Sequence, residues 1–147
     1  MIEVLVVISI LTLSMLASMA VAQKSIFVSR QAVHMSQASF LLEEGAEAVR
    51  ILRDNAWSNI LGLTVGANYY PLYSGGTWTL SSTPGIVGIF TRTVSISNVN
   101  RDNTSQDIAA AGTNDPGTKL VVVTVSWLEG STTVNKTLSF YIFDIFS

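Results

Sequence analysis

The hydrophobic pattern of the chain begins with a run that is not a pattern at all. From Val4 to Ala22 every residue is apolar or a serine or threonine, and 19 consecutive positions carry no charge. As a helix this run covers roughly 28 Å, close to the hydrocarbon thickness of a bilayer. Glu3 is the only charge in the first 23 residues. A carboxylate at the buried end of such a helix costs on the order of 2.5–3.5 kcal/mol unless it finds a partner. An anchor alone would do better with leucine there, so Glu3 points to a partner inside an apolar environment.

Beyond Ala22 the run becomes a stripe. Val28, Ala32, Met35, Ala38, Leu42, Ala46, Val49, Leu52 and Ala56 recur at steps of three and four, the signature of an amphipathic helix. No proline precedes Pro71. Gly45 is the only glycine inside the stripe, at a cost of about 1 kcal/mol against alanine. One helix over 1–56 would be roughly 84 Å long, more than a small domain can bury. Half of it must pack on something other than the chain's own core. The opposite face carries Lys24, Arg30, Glu43, Glu47, Arg50 and Asp54, with Glu47–Arg50 and Arg50–Asp54 at helical spacing. A solvated face is the default reading, and some of these charges could also bridge to a neighbouring molecule.

After Trp57 the period shortens. Gly62, Gly66, Gly75 and Gly76, interleaved with Tyr69, Tyr70 and Tyr73, predict an irregular connection with a short strand near Thr77–Leu80. Phe90, Val94 and Ile96 alternate with Thr91, Thr93, Ser95 and Ser97, a half-buried strand. Arg92 falls on its apolar face, where the simplest reading lays the stem on the core and the head at the edge. Residues 100–118 read as a polar loop. Leu120–Trp127 is the strongest strand signal, Glu129-Gly130 turns it, and Val134, Leu138, Phe140 and Ile142 alternate with polar residues. The prediction is an α+β protein: a long N-terminal helix, apolar then amphipathic, on a mostly antiparallel sheet with one apolar and one polar face. The divisions are 1–22 (apolar helix), 23–57 (amphipathic half) and 58–147 (sheet head).

Composition narrows the function. Charged residues make up 12% of the 147, against the usual ~25%, and Ser, Thr, Asn and Gly fill the surface. That suits a secreted or surface protein. A net charge of −2 without a basic patch argues against nucleic acid. No cysteine is present, which removes thiol catalysis and thiolate metal sites. His34 is the only histidine and has no ligand set near it in sequence. The serines and threonines lack the context of a nucleophile. Asp102, Asp107 and Asp115 invite a calcium reading, but their spacing matches no EF-hand. Asn103-Thr104-Ser105 and Asn135-Lys136-Thr137 are glycosylation sequons, a pattern common by chance. Tyr141, Phe143, Ile145 and Phe146 leave an apolar tail, suited to sheet-edge packing or to a contact between subunits. The expectation is no catalysis, no cofactor and no metal.

The segment Met1-Ile2-Glu3-Val4-Leu5-Val6-Val7-Ile8-Ser9-Ile10-Leu11 resembles the start of mature type IV pilins and pseudopilins. Glu43–Trp57 is similar to minor-pilin-like proteins, and Asp115-Pro116 followed by Val123–Trp127 looks like their last hairpin. The resemblance implies a filament subunit: a basic leader is cleaved, the new terminus is methylated, and the arms stack helically. It places subunit assembly on Glu3, Val4, Leu5, Val7, Ile8 and Leu11, with Glu3 pairing with a neighbour's terminal amine. The implied partners are identical subunits in a helical homopolymer, the inner membrane before assembly, and the pilus assembly machinery. The implied location is the bacterial surface, with roles in adhesion or motility. The pattern departs from the family in three places. Glu3 stands two positions early, as in a processed or truncated form. The proline near the end of the arm and the C-terminal cysteine pair are both missing. Two alternatives stand beside the pilus subunit: a minor pilin or type II secretion pseudopilin, and a membrane-anchored binding domain that does not polymerise.

Overall fold

The computed structural model describes residues 1–146. Helix α1 runs Ile2–Asn55 without interruption, one residue short of the expected end. Nothing in its sequence stops it earlier: it contains no proline, and its one glycine is Gly45. A short helix α2, Ser58–Leu61, follows. The chain divides into two compact units, residues 1–37 and residues 38–147.

The second unit contains the sheet. Its strands are β1 (Asn68–Ser74), β2 (Thr77–Ser81), β3 (Ile86–Val87), β4 (Phe90–Arg101), β5 (Ile108–Ala109), β6 (Thr113–Glu129) and β7 (Thr132–Phe143). All pairings are antiparallel, in the order β2-β1-β4-β6-β7, with β3 and β5 paired to β4. The α+β fold read from periodicity is the fold observed.

Alternation sorts the sheet residues. Val94 and Ile96 of β4, Val121, Val123 and Val125 of β6, and Ile142 of β7 are at most 1% exposed. The helix covers them with Ala38, Leu42, Ala46 and Val49, at steps of three and four. Gly45 belongs to this seam for a steric reason. A Cβ there would stand 2.8 Å from Val123 Cγ1 and 3.1 Å from Arg92 Cδ. The helix therefore approaches the sheet more closely than an alanine allows, and this approach offsets the propensity cost of glycine.

The structure corrects five readings. The stripe is buried only from Ala38 onward; Val28, Ala32 and Met35 are exposed. The irregular connection holds a complete hairpin, β1–β2. Gly75 and Gly76, with φ of +62° and +83°, form its two-residue turn, and the Tyr73 and Trp78 rings meet across it at 5.2 Å. The polar loop over 100–118 is largely strand: β4 extends to Arg101 past a bulge at Asn98/Val99, and β6 starts at Thr113. The last turn is Gly130-Ser131, one residue later than predicted, with Gly130 at φ +64°. Residue Arg92 carries the fifth correction, because its head is buried.

Arg92 is 4% exposed. Its Nη1 lies 2.8 Å from Glu44 Oε2 of α1, and its guanidinium sits 5.5 Å from the Trp78 ring centroid. Longer bonds of 3.4 Å reach the Leu41 and Pro71 carbonyls, and Nε has no partner. A guanidinium in so dry a place is costly without its counter-charge. The Glu44 side chain is 46% exposed and rehydrates when released. The pair is thus asymmetric. Glu44→Ala should lower the unfolding free energy by about 2–3 kcal/mol, while Arg92→Met, which refills the site with apolar volume, should cost less than about 1.5 kcal/mol. Urea unfolding of the two variants checks the order; equal losses would contradict it.

Candidate assembly site

The residues picked out at the N-terminus lie on the first three turns of α1. Glu3 stands in the first turn, where the helix N-terminus favours a negative charge. At 100° per residue, Val4, Val7, Ile8 and Leu11 share one face; Glu3 borders it one turn before Val7, and Leu5 flanks Ile8. Exposure of Val4, Leu5, Val7, Ile8 and Leu11 runs from 51% to 64%, so none is used in the chain's own packing.

The hydroxyls of this segment are used internally. Ser9 Oγ donates to the Leu5 carbonyl at 2.7 Å, Thr12 Oγ1 to Ser9 at 2.9 Å, Ser14 Oγ to Leu11 at 2.8 Å and Ser18 Oγ to Ser14 at 2.8 Å. Each has its bond before it meets any surroundings, as a helix in a water-free environment requires. Glu3 differs: it makes no hydrogen bond or ion pair among the described residues. The helix is long and apolar enough to cross a membrane, and its most apolar stretch is wholly unburied. Lys24 closes the segment, its Nζ 5.2 Å from the Phe27 ring centroid.

The remaining candidates resolve into local structure. Glu47 pairs with Arg50, whose guanidinium also lies 5.2 Å from the Phe140 ring. Asp54 bonds Arg53 at 2.7 Å instead of Arg50. Asp102 Oδ1 accepts the Thr104 and Ser105 amides at 2.8 and 2.9 Å. Asp115 Oδ2 accepts Thr118 Oγ1 and Arg101 Nε, both at 2.6 Å, and Oδ1 accepts the Gly117 amide. Asp102 thus caps the turn that follows β4, while Asp115, through Arg101, clips the end of β4 to the start of β6. Among the described residues no three His, Asp or Glu side chains are grouped to hold a metal. The tail residues Tyr141, Phe143, Ile145 and Phe146 remain exposed. The Glu44–Arg92 pair was missed. Its only signal is a cation at an inward strand position matched by an acid beside the helix stripe.

A scan of protein-family models, a search of curated proteins and a search of solved structures each found no match to this chain. What stands is an architecture: a long helix, apolar in its N-terminal part, with an antiparallel sheet, as in pilins.

The Asp115 clip has a pH signature. The bond from Thr118, then that from Arg101, holds its carboxyl below the usual carboxylate range. A depressed carboxylate stabilises the fold at pH above its unfolded value, about 4, and that contribution is lost as pH falls through the folded value. Unfolding measured from neutral pH downward should show a steeper acid loss in the native chain than in Asp115→Asn. Superimposable acid limbs would contradict the assignment.

Proposed function

We propose that this chain is a structural subunit of an extracellular type IV pilus-like filament, held together by packing of the N-terminal helices. The observation that carries the reading is Glu3: a carboxylate without a partner among the described residues, at the start of an apolar run whose four hydroxyls all bond back to their own helix. In the membrane it lies at one end of the span. In a filament core it meets a cation of the next subunit, and by family resemblance that cation is the terminal amine. The pairing offsets the cost of burial and sets the register between subunits. The contact joins different surfaces of successive copies, so the assembly grows as an open helix. The subunit waits in the inner membrane and reaches the cell surface through the assembly machinery. The sheet, whose outer face is polar, faces solvent.

The similarity of Glu43–Trp57 to minor-pilin-like proteins favours a second reading, a low-abundance minor pilin or a pseudopilin. Subunit counts in sheared surface fibres separate the two: a trace amount supports the second reading and overturns the first. Glu3→Ala should reduce fibre-borne protein at least tenfold while the membrane-held pool stays at its native level. Normal fibre yield from that variant would contradict the pairing. Native protein that never leaves the membrane fraction would return the chain to an anchored binding domain.

A further inference from the structure

Two segments of α1 carry the same arrangement with opposite charge. Phe27 and Arg30 stand three residues apart, and so do Phe40 and Glu43. At this spacing each pair shares one patch of helix surface. Phe27 and Phe40 are the only phenylalanines of α1, and they are 43% and 68% exposed. Neither belongs to the core, where the seam takes Ala38, Leu42, Ala46 and Val49 instead.

The two charges are alike in being unused. Further along α1, Glu44 pairs with Arg92, Glu47 with Arg50 and Asp54 with Arg53. Arg30 and Glu43 make no hydrogen bond, ion pair or ring contact among the described residues. They cannot meet within one chain, because thirteen residues of helix, about 20 Å of rise, separate them. The same thirteen-residue step leads from Phe27 to Phe40. A parallel copy of α1 displaced by that step sets Phe40 against Phe27 and Glu43 against Arg30 in a single contact. Lys24, with its Nζ 5.2 Å from the Phe27 ring centroid, adds a second cation to the basic patch.

A bilayer does not cover both patches. Residues 4–22 already match its hydrocarbon thickness, and Phe40 follows Ala22 by about 27 Å of helix. A second copy of this chain supplies both the opposite charge and the matching spacing. We infer that α1 of one copy docks its Phe40–Glu43 patch on the Phe27–Arg30 patch of a parallel neighbour, displaced by about 20 Å along the axis. The two rings shield each other from water, and the ion pair beside them fixes the offset. The patches differ, so each copy offers one to the copy on one side and the other to the copy on the other side, and the contact repeats without closing. It rests on the filament reading and adds a second register to that of Glu3.

Charge swaps in the full-length chain test the contact, with the yield of sheared surface fibres as the readout and the membrane-held pool as the measure of a stable chain. Both positions are exposed, so neither swap disturbs the core. Arg30→Glu and Glu43→Arg should each lower fibre-borne protein at least tenfold while the membrane pool stays at its native level, because each sets like charges against one another across the contact. The double variant, Arg30→Glu with Glu43→Arg, should return fibres to within about twofold of the native yield, a rescue that a merely local role for either residue does not produce. Single swaps that leave fibres at native yield, or a double swap that leaves them depleted, would overturn the contact while native fibres keep the filament reading intact. Native cells that make no fibres of this chain would overturn both.

Discussion

The seam between α1 and the sheet rests on one close approach. Gly45 lets the helix come to within a methyl group of Val123, and Ala38, Leu42, Ala46 and Val49 close the apolar face of β4, β6 and β7 on either side of it. Most of these seam residues are small, so the contact is nearly backbone to side chain and leaves little room for substitution. Arg92 lies in the same seam and takes its charge balance from Glu44, one residue before Gly45. The seam starts at Ala38. Everything apolar on α1 before it is exposed, and that surface asks for a partner outside the chain.

Two kinds of polar group meet that apolar surface in different ways. Four hydroxyls on the first 22 residues turn back onto their own helix and add nothing that must be solvated. Glu3 does not do this: it stands in the first turn, where the helix end favours a negative charge, yet it makes no hydrogen bond or ion pair among the described residues. Its charge has to be balanced by water at a membrane surface or by a cation from another molecule. An assembly built from such helices would take its cohesion from the apolar residues and its register from the single charge.

Much of the fold was legible because periodicity reports burial directly. The apolar run, the three-four stripe and the alternating strands gave α1 and β7 close to their observed limits and the central parts of β4 and β6. The short strand near Thr77–Leu80 is β2, but its partner β1 and the hairpin they form were not found. Its strands are short and its signal is a Gly-Gly pair whose positive φ angles are invisible to a hydropathy pattern. The strand ends around 100–118 were lost for a related reason: Arg101, Asp115 and Thr118 are polar because they bond to one another across β4 and β6, and such residues read as loop. Alternation also found the outward hydroxyls of each strand. Their alignment into rows depends on the register between strands, which no single strand encodes. Glu3 was legible as an anomaly, since a lone charge beside 19 uncharged residues stands out in any reading.

The central claim is that the N-terminal helices pack together with Glu3 against a neighbouring subunit's cation. Helical reconstruction of native surface fibres by electron cryomicroscopy tests it most directly. The account predicts fibres of this chain with residues 1–22 in the core and the Glu3 carboxylate within about 4 Å of a cationic group on an adjacent copy. Fibres with these helices outside the core, or with Glu3 facing solvent, would contradict it.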